Sequence, residues 1–404
     1  MPTDSPDLPE IPRTLPDRPN LRHLKDQAKD LHKNGGAESL TNAQFKIARM
    51  YGFASWQKLR DHVESLEEIG QLKQAIDTND LERVQALMTR NPALHRAPIG
   101  YNKNGPLTWV AECRIPWEPP SAVRLAMAKW MIDHGSDIHQ GGDGPLMRAA
   151  LFGHRIPMME LLLEYGADVN AEWNGYYPII FAPCETLEPE SLRWLLAQGA
   201  KPNVAREGRK YPGTALDQVI AGYGRSVNLG ECMDIVINAG GTTKYNFAPL
   251  IDLLRGRIDL LSADMDADPG LVQRRFAEFD FGVTGARRLT LHGATLLHVA
   301  AEYGNVEAAA LLMDRGADVN ARATVDEGVG GQTAVFHSVT QYGDWGLAVT
   351  ELLLDRGADL SVRVKLPGHY ERPGEVVECN PVEYAEMFPG GEGKTLALVR
   401  GWRR

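Results

Sequence analysis

The stretch Leu-Leu-Leu-Glu-Tyr-Gly-Ala-Asp-Val-Asn at 161–170 decides the fold of this chain, because it has the pattern of a helix end. Its leucines can pack inward, two polar residues complete the last turn, and the glycine suits the left-handed conformation that stops a helix. Variants of the stretch recur at 130–137, 195–203, 236–241, 311–320 and 352–360. Such repetition predicts a stack of similar units, each contacting only its neighbours.

The spacing of these helix ends predicts the size of each unit. Their glycines lie at positions 135, 166, 199, 240, 316 and 357, at intervals of 31, 33, 41, 76 and 41 residues. A period near 33 is typical of a helix pair joined to the next pair by a hairpin. The intervals of 41 predict insertions, and the interval of 76 predicts a hidden unit. That unit lies at 250–271, where the apolar residues from Ile258 to Leu271 repeat the spacing of those from Leu81 to Leu94.

The most regular unit identifies a family resemblance. Ala-Thr-Leu-Leu-His-Val-Ala-Ala-Glu-Tyr-Gly-Asn-Val-Glu at 294–307, followed by the helix end at 311–320, resembles a near-consensus ankyrin repeat. Gly-Pro-Leu-Met-Arg-Ala-Ala-Leu-Phe-Gly-His at 144–154 is a close variant, and the other copies are looser. The resemblance covers about 68–400. It implies an all-α ankyrin-repeat solenoid of about nine helix-pair units with short hairpin loops and a helical N-terminal cap.

We expect four segments along the chain. They are an extended proline-rich leader at 1–19, a helical N-terminal cap at 20–67, a first ankyrin array at 68–245, and a second array at 246–404 that ends in a capping repeat. Apolar stripes predict three helices in the cap, with Ser55 as the N-cap of the third. The cap is similar to a segment that precedes repeats in bacterial proteins. Part of it resembles a helix–turn–helix, but residues 1–70 hold 10 basic and 11 acidic residues, which argues against DNA binding.

Composition narrows the classes of function. The net charge of −10 argues against general binding to nucleic acid or to an anionic membrane surface. No apolar run approaches the ~18–20 residues of a membrane span. The N-terminus has no feature of a secretory signal, so the expected location is cytoplasmic. The four cysteines match no metal or redox spacing, and no phosphate-binding loop is present, so we expect no metal and no cofactor.

In the ankyrin family, partners contact the hairpin tips and the inner face of each first helix, which together form a concave groove. Aligning this chain with the ankyrin repeat places Glu302 and Tyr303 on the inner face of a first helix. Because Trp, Tyr and Arg carry much of the energy of interfaces, the leading hypothesis is a cytoplasmic scaffold that binds a protein or a polar ligand in this groove. The candidate binding residues are Trp109, Trp117, Arg148, Trp173, Tyr176, Phe181 and His337.

The alternative hypothesis is an enzyme that works in the groove on a polar small molecule such as a carbohydrate. Aromatic walls with convergent acids suit such a ligand, and two carboxylates with different pKa values can act as general acid and base. The candidate catalytic residues are Glu112, Asp143, Glu185 and His139. Neither the ligand nor a reaction follows from the sequence, so both hypotheses stay open here.

Overall fold

The structure, a computed structural model, describes residues 13–16, 19–100, 103–204, 213–222, 224–282, 287–388 and 393–402. The chain divides into two compact units, Met1–Gln140 and Gly141–Arg404. Most of the predicted leader at 1–19 lies outside the described residues. The predicted limit between two repeat arrays, at 245 and 246, stays a prediction, as does the number of helix pairs.

The described part of the first unit is helical. Its elements are α1 (Leu21–Lys33), α2 (Leu40–Met50), α3 (Trp56–Asp77), α4 (Leu81–Arg90), a 3₁₀ helix (Pro92–Arg96), α5 (Pro106–Glu112) and α6 (Ala122–Asp133). Ser55 caps α3 as predicted, because its hydroxyl accepts the backbone N–H of Lys58. Residue 67, the predicted end of the cap, falls inside α3, which continues to Asp77 with Leu72 and Ile76 fully buried.

The second unit alternates short helices with hairpins. Its described elements are α7 (Gly144–Ala149), a 3₁₀ helix (Gly153–Arg155), α8 (Ile156–Glu164), β1 (Glu172–Trp173), β2 (Tyr177–Pro178), α9 (Phe181–Thr186), α10 (Pro189–Ala197), α11 (Ala215–Ala221), α12 (Leu229–Asn238), α13 (Ala248–Leu254), α14 (Ile258–Ala267), a 3₁₀ helix (Pro269–Gln273), α15 (Leu296–Glu302), α16 (Val306–Asp314), β3 (Val325–Asp326), β4 (Val329–Gly330), α17 (Ala334–Ser338), a 3₁₀ helix (Tyr342–Asp344), α18 (Leu347–Asp355), β5 (Val364–Pro367), β6 (Val376–Cys379), α19 (Pro381–Met387) and α20 (Lys394–Gly401).

The helix ends have the predicted geometry. After α8, Gly166 has φ +96° and donates its N–H to the carbonyl of Leu163 at 2.9 Å. Ala167 donates to Leu162 at 3.0 Å, so two carbonyls of the last turn are satisfied. Positive φ is shared by the other five predicted glycines, at 135, 199, 240, 316 and 357. The repeated stretch is therefore confirmed as a helix stop.

An asparagine that follows some of these glycines joins consecutive repeats of the second unit. Asn320 donates its side-chain N–H to the carbonyl of Gly357 at 3.0 Å and accepts the backbone N–H of Asp359 at 2.8 Å. Asn170 and Asn203 make the same two bonds with their following repeats. We call this arrangement the asparagine bridge. It fixes the register of one repeat against the next.

The hidden unit at 250–271 has the same local structure as the segment Leu81–Leu94, as its sequence predicts. α14 is followed by a five-residue 3₁₀ helix, just as α4 is in the first unit. The linking residues Asn91 and Asp268 have nearly the same backbone angles, φ −130° and −134° with ψ 88° and 87°. Equivalent apolar positions, Met88 and Met265, are buried in each. The same local sequence pattern thus builds the same local structure twice.

The expectation of short hairpin loops needs a correction. The hairpin before α17 and the hairpin before α19 are long enough to pair, and they form an antiparallel sheet with the strand order β3-β4-β5-β6. Gly330 pairs with Lys365 across the two hairpins, and Leu366 pairs with Val377 within the second. β-branched valines at 364, 376 and 377 favour these strands. We call these four strands, together with the turn inside each hairpin, the tip sheet.

Candidate functional site

The inner-helix candidates of the first unit are buried. Trp109 on α5 is 7% exposed, and its indole N–H donates to the carboxylate of Asp77 at 2.7 Å. The ammonium group of Lys73 lies 4.2 Å from the centre of the same indole ring. Glu112 is 6% exposed and faces Arg114 across 3.9 Å. These contacts give Trp109 a packing role between α3 and α5, and they leave little of its surface for a ligand.

The two loop candidates of the first unit lie at the surface. Trp117 is 56% exposed, in the proline-flanked segment between α5 and α6. His139 is exposed, and its backbone N–H donates to the side chain of Asp137 at 2.9 Å. A binding role for either residue stays a prediction.

In the second unit, the structure brings several predicted residues together around one that the sequence analysis missed. The ring of Tyr177 lies edge-on to Trp173 at 6.3 Å and to Phe181 at 5.8 Å, and the ring of Tyr176 lies 6.1 Å from Trp173. The hydroxyl of Tyr177 donates to the carboxylate of Glu185 at 2.6 Å. Only Tyr176 and Glu185 are half-buried, and the other three are buried. The cluster is mainly a packing core beneath the β1–β2 hairpin.

The carboxylate of Asp143 and the backbone carbonyl of Arg148 also accept hydrogen bonds from nearby residues. Asp143 is 2% exposed, precedes α7 and accepts the backbone N–H of Asp168. The carbonyl of Arg148 accepts a bond from the guanidinium of Arg155 at 2.9 Å. Because the carboxylates of Asp143 and Glu185 both hold structural hydrogen bonds, their geometry gives the enzyme hypothesis no support.

Two buried arginines and a buried histidine surround Glu302 in the second unit. Its carboxylate accepts bonds from Arg287 at 2.5 Å, from Arg225 at 2.7 Å and from Nδ1 of His337 at 2.7 Å. Glu302 and His337 are fully buried, and the side chains of the two arginines are at most 7% exposed. We call these four residues the Glu302 cluster. The expectation that His337 and Glu302 face an open groove is therefore corrected, because neighbouring repeats cover both faces of α15 and α17.

Charge and burial set the protonation of the Glu302 cluster. Burial alone would raise the pKa of Glu302, but the charges of Arg287 and Arg225 and the hydrogen bond from His337 outweigh it and lower the pKa to about 2. Burial lowers the pKa of His337 despite its carboxylate partner. Glu302 is thus ionised and His337 neutral near pH 7. Arg225 and Arg287 were not predicted, because no local pattern pairs Arg225 with a residue 77 positions away or Arg287 with one 15 positions away.

The tip sheet exposes apolar side chains. Val325 on β3 is 56% exposed, Val376 on β6 is 49% exposed, and Tyr370 between β5 and β6 is 50% exposed. The three residues lie on strands and a turn that are hydrogen-bonded into one sheet. Exposed apolar side chains that share one ordered element can contribute to a binding surface.

The described residues include neither a candidate metal site nor a helix that could span a membrane. No group of three or more His, Cys, Asp or Glu side chains in these ranges could hold a metal ion. Of the helices described, none combines the length and the apolar character needed to cross a membrane.

Comparisons with known proteins agree with the repeated helix ends. A family model of ankyrin repeats in three copies matches residues 121–206, and a model of a single ankyrin repeat matches 292–324. Among solved structures, the crystal structure of human ASB11 ankyrin repeat domain is similar at 21% identity, covering 63% of this chain and 99% of that chain with a TM-score of 0.36. None of the curated proteins matches the chain significantly. The two matched segments contain the helix ends at 130–137, 161–170, 195–203 and 311–320.

Proposed function

Because the chain is an ankyrin-repeat protein, we propose that it is a scaffold that holds a protein partner on the hairpin side of its second unit. The observation that carries the proposal is the tip sheet, which exposes Val325, Tyr370 and Val376. Tyrosine beside aliphatic side chains supplies apolar contact area together with a polar group, a combination that interfaces favour.

The proposed surface differs from the groove expected from the sequence. Phe181 and His337 are 2% and 0% exposed, so the inner helices α9 and α17 offer a partner little area at these positions. Hairpin residues remain accessible, including Asn174 beside the half-buried Tyr176. We therefore assign binding to the hairpins and not to the inner helices. Ligand binding at Trp117 or Arg148 is not needed for this proposal.

We also propose that the protein works in the cytoplasm. Its four cysteines are buried thiols, a state that suits a reducing compartment. No observation favours an enzymatic role, so none is proposed.

Site-specific photo-crosslinking tests the scaffold. Benzoylphenylalanine would replace Tyr370 in the tip sheet and, as a matched control, the exposed Glu307 on α16. After irradiation in the cells that make the protein, we expect a discrete protein adduct from position 370 and none from position 307. Equal adducts at both positions, or none at position 370, would contradict the proposal.

A further inference from the structure

The last strand of the tip sheet, β6, lies at an edge of the sheet. It pairs with β5 along its whole length, and none of the other described strands is hydrogen-bonded to it. Two of its residues, Val376 and Glu378, are exposed. A strand in this position turns one row of backbone N–H and C=O groups away from the sheet. The outer side of β6 is therefore a place where another extended segment can pair.

The register of the hairpin identifies the backbone groups on this outer side. Gly368 donates its N–H to the carbonyl of Glu375 at 2.9 Å, which places Val376 in an antiparallel pair whose backbone groups point away from β5. Glu378, two residues along, has the same orientation. Its carbonyl accepts a bond from Arg363 at 3.1 Å. The N–H and C=O of Val376 and the N–H of Glu378 have no hydrogen-bond partner among the described residues.

The chain itself uses the equivalent edge of the preceding hairpin. β4 is the second strand of the hairpin before α17, just as β6 is the second strand of the hairpin before α19. The outer side of β4 holds β5 in antiparallel orientation, through the pair Gly330 and Lys365. The second strand of a hairpin in this array can thus accept an extended segment. By the same geometry, the segment that fits the outer side of β6 is an antiparallel strand.

The side chains of β6 restrict the sequence of that strand. Val376 and Glu378 lie two residues apart and therefore point to the same face of the sheet. Nη1 of Arg363 lies 2.9 Å from the carboxylate of Glu383 and its Nε lies 3.8 Å from that of Glu378, so these three residues carry one net negative charge. An apolar residue opposite Val376 and a basic residue opposite Glu378 are complementary. Because the strand is antiparallel, the basic residue comes two positions before the apolar one.

We propose that β6 binds an extended segment of a protein partner, which joins the tip sheet as a fifth, antiparallel strand. Val376 donates its N–H to the backbone carbonyl of the partner's apolar residue and accepts the N–H of the same residue. Glu378 donates its N–H to the backbone carbonyl of the partner's basic residue. Main-chain bonds of this kind supply affinity, and the alternate side chains supply specificity. This proposal rests on the scaffold function and adds the conformation and the residue pattern that the scaffold recognises.

The test uses the peptide acetyl-Thr-Lys-Thr-Val-Thr-amide as a probe and the full chain with labelled backbone amides. Saturable downfield shifts of the amide protons of Val376 and Glu378 are expected, with a dissociation constant of about 1 mM for a ligand of this size. The same peptide N-methylated at its lysine and valine should cause no shift, because methyl groups replace the N–H groups that face β6. A peptide with glutamate in place of lysine should bind about threefold more weakly.

Variants of β6 locate the binding. Val376→Pro removes the outward N–H without removing a bond to β5, and it should abolish the shift at Glu378. Val376→Thr keeps the N–H and the β-branched shape, so it should bind more weakly than the natural chain but still produce the shift. Glu378→Lys is the second test in case Val376→Pro does not fold. It should reverse the preference, so that the glutamate peptide binds more tightly than the lysine peptide.

Absent shifts at Val376 and Glu378, an equal response to the N-methylated peptide, unchanged binding in a folded Val376→Pro chain, or an unchanged charge preference in Glu378→Lys would overturn the assignment. The crosslinking at Tyr370 is read independently. An adduct at position 370 without peptide binding at β6 would leave the scaffold standing and remove the strand, so the two failures are distinguishable.

Discussion

Nδ1 of His337 lies 2.7 Å from Oε2 of Glu302, and both side chains are fully buried. The bond joins α17 to α15, the inner helices of two consecutive repeats. The other oxygen of Glu302 holds Arg225 and Arg287, and Arg225 in turn donates to the carbonyls of Gly222 and Gly224. One carboxylate therefore fixes two helices and two loops that are distant in sequence.

Replacing Glu302 by glutamine should lower the free energy of unfolding by about 3–5 kcal/mol. The substitution keeps the size of the side chain but leaves the guanidinium groups of Arg225 and Arg287 buried without their carboxylate partner, which is the costly way to break a buried ion pair. Urea unfolding followed by circular dichroism measures the change.

Glu307→Gln is the matched control, because Glu307 is exposed at the start of α16. This variant should stay within about 0.5 kcal/mol of the natural chain. If the two glutamine variants were equally stable, the Glu302 cluster would not be a structural element.

Acidification below about pH 6.5 should destabilise the second unit through His298. Burial is the main reason that its pKa falls to about 3 in the folded chain. The unfolded chain, with a histidine pKa near 6.5, therefore binds the proton more readily between these values, so stability falls as the pH drops. The slope from this residue is about 1.4 kcal/mol per pH unit.

Comparing urea unfolding of the natural chain and His298→Gln at pH 7, 6 and 5 isolates the contribution of His298. The glutamine variant should be less stable at pH 7, because the bonds of His298 to Thr295 and Gln332 are disturbed. Its stability should depend less on pH. Parallel pH profiles for the two proteins would refute the assignment.

Removing an asparagine bridge should destabilise the contact between two consecutive repeats. Asn320→Ala removes a bond to Gly357 and a bond to Asp359, and we expect a loss of about 1–3 kcal/mol. Thermal unfolding of this variant is compared with Asn238→Ala, whose asparagine is exposed at the end of α12. An equally small effect in both would show that the bridge contributes nothing to stability.

The cysteines should react slowly while the chain is folded. All four are buried, and burial raises the pKa of Cys232 to about 12 and that of Cys379 to about 11, so little thiolate is present near pH 7. Ellman's reagent should modify four thiols per chain in guanidinium chloride and few in buffer. Rapid modification in buffer would mean that the described core opens readily.

The sequence was sufficient to predict the structure wherever a local pattern corresponds to a single local conformation. A glycine after a leucine-rich turn predicts a helix stop wherever it occurs, and the spacing shared by Leu81–Leu94 and Ile258–Leu271 predicts a shared local structure. The same information did not reveal that Arg225 meets Glu302, because that contact depends on the path of a long connection. It also placed His337 on an open surface, because burial of an inner helix depends on how closely its neighbours pack.

The asparagine bridge also affects how a repeat array can lengthen during evolution. Each bridge uses a carboxamide at the end of one repeat and backbone groups in the next, and neither partner depends on the identity of the surrounding side chains. A duplicated repeat would therefore carry the asparagine that bonds to its successor and the backbone groups that bond to the asparagine of its predecessor. Duplication of a repeat would therefore supply these two hydrogen bonds at the new junction without a further substitution.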